Sequence, residues 1–278
     1  PHHSPLKAKD KTVSYMPPAW KQWVVKCLLS GTAVPTIVTT LAENGFSPDT
    51  IKKVLGANLP TNYQFSPSPS FYEKLAKSAI ARVEKAKPLA EPSDIQLFSY
   101  DNFLSSQECD DIVALTKDKL APSKLAGAAS ADDIRTSSTC ELAFLGNKLV
   151  KDVDSRIVST LSLGVGEGEV IQAQHYNVGE YYKPHYDFFP PGSPQYKAHC
   201  LSRGQRTWTC MIYLNDECDG GHTRFTKLDI AVKPKKGMAL FWNNLLPSGD
   251  PNLNSIHFAE PVTRGHKTVI TKWFRTKN

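Results

Sequence analysis

A chain of 278 residues, 40% hydrophobic and 22% charged, can bury a full core in one large domain or two smaller ones, and its balance is that of an ordinary soluble globular protein. Its net charge of +6 is mildly basic, but the lysines are not interleaved with aromatics, so a solvated surface is expected rather than nucleic-acid binding. The most apolar early stretch, residues 23–41, is broken by Lys26, Gly31 and Pro35, which argues against a membrane-spanning helix and a signal-peptide core.

In chain order, Pro18 suits the first turn of a helix over residues 18–29, closed by Gly31. A second helix is expected over 34–44, and Ser47-Pro48 caps a third that ends at Gly56. Residues 1–60 thus read as a small helical region, which could recruit a partner protein or substrate. Residues 61–94 read as connectors around a linking helix over 71–87, and 95–278 as the main domain. That domain opens with a strand at 95–100, and Ser105-Ser-Gln-Glu108 is a capping box that starts a helix to about Leu120. Residues 121–133, rich in Ala, Ser and Gly, read as a loop.

Beyond it, short alternating segments at 170–176, 181–188, 207–214, 231–232, 238–242, 256–258 and 268–274 are separated by Gly, Pro, Asn and Asp. This pattern predicts an α+β fold with a double-stranded β-helix core, a jelly roll of cupin-like form, backed by helices. Gly164-x-Gly166-x-Gly168 precedes a strand rather than a helix, so a phosphate-binding loop is disfavoured. The six cysteines form no C-x-x-C pair and read as reduced buried thiols, favouring a cytoplasmic setting. A zinc site from Cys210, Cys218 and His222 fits no standard spacing.

His185-x-Asp187, His257 and Lys267 carry the chemistry. Residues two apart on a strand point to one side, so His185 and Asp187 can share a ligand. With His257 they form the two-histidine, one-carboxylate set that holds non-haem Fe(II) and leaves positions open. A buried Lys267 beside it would pair with the far carboxylate of a dicarboxylic acid. Lys272, of opposite parity, is expected to be a solvated strand lysine.

The run from His175 through His185-Tyr-Asp187 resembles the catalytic domain of the prolyl 4-hydroxylases. So do Gln205-Arg206-Thr-Trp-Thr-Cys-Met-Ile-Tyr-Leu-Asn215, Gly220-Gly221-His222-Thr223, His257 and Gly265-His-Lys267 through Trp273. The resemblance covers residues 95 to 278. It implies Fe(II) on His185, Asp187 and His257, with 2-oxoglutarate as cosubstrate and O2 as oxidant. L-ascorbate would be an accessory reductant, and a proline in a peptide or protein would be hydroxylated to give succinate and CO2. It places Lys267, Tyr176 and Thr223 on the C5 carboxylate of 2-oxoglutarate. Tyr182, Arg206 and Trp273 would meet the substrate, and Arg135 the rim. Aromatic rings and a guanidinium suit a proline ring and peptide carbonyls. Phe258 and Arg275 depart from the family pattern: many members hold a small residue at the first position and some a histidine at the second. Two alternatives are an oxygenase of a free amino acid or small metabolite, and a jelly-roll binding module without activity.

Overall fold

The computed structural model describes residues 15–61, 63, 65, 67, 69–123, 136–142, 146–162 and 168–276. The chain divides into two compact units, Pro1–Ser68 and Pro69–Asn278.

In the first unit, helices α1 (Pro18–Leu29), α2 (Val34–Glu43) and α3 (Pro48–Leu55) follow their start and stop signals closely. Each has proline in its first turn, where the missing N–H costs no hydrogen bond. The Ser47 hydroxyl caps α3 by accepting from Thr50 N at 3.1 Å. Trp20, Val24, Ile37, Leu41 and Ile51 form the core, and Trp20 meets Trp23 and Phe46 edge-on at 5.5 and 5.2 Å.

The second unit opens with α4 (Pro69–Ala76), a 3-10 turn, β1 (Ala86–Pro88) and β2 (Leu97–Tyr100). Then come α5 (Ser106–Thr116), β3 (Ala121–Pro122), β4 (Ser138–Glu141), α6 (Lys148–Leu161), β5 (Gln172–Tyr176), β6 (Tyr182–His185) and α7 (Pro194–Arg203). The remainder is β7 (Arg206–Tyr213), β8 (Cys218–Gly220), β9 (Thr223–Phe225), β10 (Ile230–Val232), β11 (Ala239–Asn243), β12 (His257–Ala259), β13 (Val262–Gly265) and β14 (Lys267–Arg275).

An eight-stranded sheet runs β1-β2-β11-β7-β14-β5-β4-β3, a four-stranded sheet runs β10-β9-β12-β6, and β13 pairs with β8. The strand pairings within these sheets are antiparallel, and the fold is α+β with a jelly-roll core. Strand parity separates two cores across the large sheet. Trp208, Cys210, Ile212, Phe241, Ile270 and Phe274 face a helical layer with Cys109, Ile112, Val153 and Ile157 of α5 and α6. Met211, Tyr213, Leu240, Trp242 and Val269 face the other way and meet Phe225, Val232 and Ala259 of the small sheet. The site lies on this second, inter-sheet face.

Three local expectations change. The helix over 71–87 stops at Ala76, because the Ser78 hydroxyl donates to Leu161 O (2.8 Å) and accepts from Ile80 N, pinning a 3-10 turn against α6. Residues 69–94 belong to the second unit, since α4 feeds the helical core with Leu75 and β1 pairs with β2. Lys272 is 2% exposed, not solvated: its ammonium meets Asp154 Oδ1 of α6 at 2.8 Å and donates to Glu169 O at 2.9 Å.

Candidate active site

β12 lies antiparallel to β6 with His257 directly opposite His185, and Asp187 follows β6 by two residues. This register brings the three side chains together. One ligand atom from each lies within 4.8 Å of the others, and Asp187 Oδ1 is 3.8 Å from both His185 Nε2 and His257 Nε2. At 3.8 Å these groups are too far apart to hydrogen-bond one another.

Each imidazole is held from behind. His185 Nδ1 donates to Lys183 O at 2.8 Å and His257 Nδ1 donates to Ser255 O at 2.9 Å. A carbonyl can accept only, so Nδ1 carries a proton, and in the neutral tautomer the lone pair on Nε2 faces the carboxylate. Two neutral imidazoles with inward lone pairs and one carboxylate suit a divalent transition metal, and outward Nδ1–H bonds are the usual way of fixing such ligands. Burial works against the charge on Asp187, but the positive charge that His257 and His185 carry when protonated, together with Arg206 and the Thr209 hydroxyl, sets its pKa below the ordinary carboxylate value.

A small cavity adjoins the triad. Lys267, Val269, Thr271 and Trp273 of β14 line one wall by their shared parity, with Tyr176, Thr223 and Phe258 around them. Lys267 is 1% exposed. Its Nζ donates to Gly221 O at 2.8 Å and sits 4.4 Å from the centre of the Tyr176 ring, its direct neighbour on β5. No carboxylate lies within ion-pair distance of it among the described residues, and burial pulls its pKa down to about 8. Gly221 makes room for the stem: at φ +65 a Cβ there would press on Lys267 Cδ at 3.3 Å and on Val262 Cγ2 at 3.3 Å. Thr223 Oγ1 accepts from the Tyr213 hydroxyl at 2.6 Å, which turns its own proton towards other acceptors. The cavity therefore pairs a metal-ligand set with a buried cation and hydroxyl donors, a fit for a chelating dicarboxylate.

The expected substrate residues separate. Trp273 lines the cavity, and its buried Nε1–H has no acceptor among the described residues. Tyr182 lines it too, but stacks on the His185 imidazole with ring centres 3.5 Å apart, so it also supports a ligand. Arg206 does not open into the cavity. Its guanidinium donates through Nε and Nη2 to both oxygens of Glu169 at 2.7 and 2.8 Å, and stacks on Trp273 at 4.1 Å. Glu169 Oε1, which accepts from Arg206 Nε, is also 2.7 Å from Arg275 Nε, so Arg275 forms an ion pair with this clamp. Arg206 thus reaches the substrate side through Trp273 and not by direct contact. Arg135 and most of the 121–133 loop lie outside the described residues.

Glu169, Thr209, Tyr213 and Asn244 were not legible as site residues. Strand alternation on β7 could have exposed Thr209, since Trp208 and Cys210 mark the opposite face; nothing local marks Glu169.

The 2OG-Fe(II) oxygenase superfamily matches residues 171–275, which contain the triad and Lys267. Probable prolyl 4-hydroxylase 7 of Arabidopsis thaliana is 32% identical over 205 residues, covering 66% of this chain and 63% of its own. Probable prolyl 4-hydroxylase 6 of the same plant is 32% identical over 205 residues, covering 65% of this chain and 69% of its own. The chain belongs to the 2OG-Fe(II) oxygenase superfamily and, within it, to the prolyl 4-hydroxylases. It spans less than two thirds of the length of the first of these relatives. A Trichoplax adhaerens prolyl hydroxylase, in complex with a hypoxia inducible factor oxygen degradation domain peptide fragment, shares the fold at a TM-score of 0.52. It is 16% identical, covering 78% of this chain and 96% of that one.

Proposed function

We propose that this chain hydroxylates proline in a peptide or protein, using Fe(II), O2 and 2-oxoglutarate. The observation that carries the reading is Lys267, a buried cation without a carboxylate partner among the described residues, facing the same cavity as His185, Asp187 and His257. A buried charge needs a counter-charge, and the C5 carboxylate of 2-oxoglutarate meets that need.

His185 Nε2, His257 Nε2 and Asp187 Oδ1 would hold the metal, and Lys267 the cosubstrate, with Thr223 donating and Tyr176 walling the ammonium. Bound there, Fe(II) and 2-oxoglutarate would, with O2, supply an oxidative decarboxylation that yields succinate and CO2 and turns a C–H bond into C–OH, one oxygen atom going to each organic product, chemistry that side chains alone cannot perform. The chain's own task is placement. Tyr182, Phe258 and Trp273 offer apolar faces to a pyrrolidine ring, and the Trp273 Nε1–H, without an acceptor among the described residues, suits a peptide carbonyl. The Trichoplax neighbour's peptide complex supports a peptide substrate.

Ascorbate dependence and a reducing, cytoplasmic setting belong to the same proposal; the first follows from the family and the second is supported by six buried free thiols. The helical first unit is proposed to recruit a partner, since α1 leaves Val25 and the 83% exposed Leu29 facing solvent.

The test is succinate release from 2-oxoglutarate with Fe(II) and a proline-rich peptide, with a product heavier by one oxygen atom. Turnover with a free amino acid but with no peptide would move the assignment to a small-molecule oxygenase. Metal content unchanged in His185→Ala would favour a binding module without the reaction.

A further inference from the structure

Asp187 has two oxygens, and a buried chain of hydrogen bonds distinguishes them. Trp242 Nε1, which can only donate, points at Asn244 Oδ1 at 3.0 Å. That contact fixes the Asn244 amide. Its Nδ2 then donates to Thr207 O at 2.8 Å and to Thr209 Oγ1 at 2.8 Å, using both hydrogens. The reverse orientation would set oxygen against the Thr207 carbonyl and N–H against the Trp242 N–H. Thr209 Oγ1, already accepting from the amide, directs its own proton to Asp187 Oδ2 at 2.7 Å. Trp242, Asn244 and Thr209 are all buried, so water does not compete.

Asn244 is also held through its backbone: its N donates to Thr207 O at 2.8 Å and its O accepts from Asn252 N at 2.9 Å. The Trp242 ring packs edge-on against the His257 imidazole, centres 5.0 Å apart. One short segment therefore bears on two of the three putting-together groups of the triad, the carboxylate through hydrogen bonds and the imidazole through packing.

We propose that Thr209 and Asn244 are positioning residues: Thr209, oriented by Asn244, occupies Asp187 Oδ2 and reserves Oδ1 for the metal. The inference rests on the metal-site reading above. Neither residue lines the cavity. Their effect is to keep the carboxylate from turning, so that it gives one oxygen and leaves the remaining coordination positions to cosubstrate and oxidant. Removing the Thr209 hydroxyl leaves Oδ2 without its donor and frees the group to rotate. Asn244→Asp acts by a different route: one new carboxylate oxygen still accepts from Trp242, while the other loses the bond to the Thr207 carbonyl and takes the Thr209 proton away from Asp187.

The experiment titrates Co(II) into the full metal-free chain, reading Kd by calorimetry and ligand-field absorption in the visible. Wild type should bind one ion. Thr209→Val should weaken binding about 10- to 100-fold and change the absorption spectrum, Thr209→Ser should restore both, and Asn244→Asp should shift Kd in the same direction as Thr209→Val. Equal Kd and an identical spectrum for Thr209→Val would overturn the proposal while leaving the metal site intact. Failure of wild type to bind Co(II) would instead defeat the metal-site reading. If Thr209→Val and Asn244→Asp both fail to fold without metal, as read by thermal melting, the chain is structural and the positioning role is wrong.

Discussion

Lys267 holds its charge with no carboxylate in ion-pair reach among the described residues, which is a cost to the metal-free protein and an asset once a dicarboxylate binds. Lys267→Met should abolish tight 2-oxoglutarate binding, a loss of about 2–5 kcal/mol by analogy with truncated buried charge pairs, measurable by calorimetry. The same change should raise the melting temperature of the metal-free protein by at least about 2–4 °C, since a desolvated ammonium is replaced by an apolar chain. The pH dependence follows from the depressed pKa. Cosubstrate binds the ammonium form, so affinity is flat below about 8 and falls as pH rises through it. For stability the sign is opposite: folding is penalised by this group below about 8, and the penalty is relieved as pH rises towards the ordinary value of 10.5. A 2-oxoglutarate affinity that is constant from pH 7 to 10 would contradict this account of Lys267.

Elements that are specified by short-range chemistry were legible: the Ser105–Glu108 capping box, the Ser47 cap, and the parity of Lys267 and Trp273 on β14. Glu108 extends its capping box into a bidentate pair with Arg156 of α6, at 2.7 and 3.0 Å, which with the Ser105 amide holds its pKa at about 2. That depressed value gives a contribution to stability present above the ordinary carboxylate pKa and lost as pH falls towards 2. Glu108→Gln should therefore flatten the acid limb of the unfolding curve between those limits, as read by circular dichroism. What was not legible depends on partners that meet only after folding. Glu169 and Arg206 are 37 residues apart, and Ser78 finds its carbonyl 83 residues away, so no local pattern announces either. The Glu169 clamp carries a prediction of its own. Glu169→Ala leaves two buried guanidiniums uncompensated and should cost about 3–5 kcal/mol in urea unfolding. Loss of less than about 1 kcal/mol would show that the clamp is not a structural support for Trp273.

At the scale of the molecule, the triad, Lys267 and the cavity all lie within Pro69–Asn278, and the superfamily match falls inside that unit. A chain lacking residues 1–68 should therefore still bind metal and 2-oxoglutarate with wild-type affinity. If the first unit recruits a partner or substrate, only the affinity for that macromolecule should fall. The jelly roll supplies the logic of the site: β6 and β12 pair so that His185 faces His257, while β14 carries Lys267 on the inward face of the larger sheet. The most direct test of this geometry is a crystal structure with Zn(II), a redox-inert substitute for Fe(II), and 2-oxoglutarate. One ion should be bonded at about 2.0–2.2 Å to His185 Nε2, Asp187 Oδ1 and His257 Nε2, with the far carboxylate of the cosubstrate on Lys267 Nζ. An ion bound elsewhere, or a cosubstrate that leaves Lys267 without its counter-charge, would contradict it.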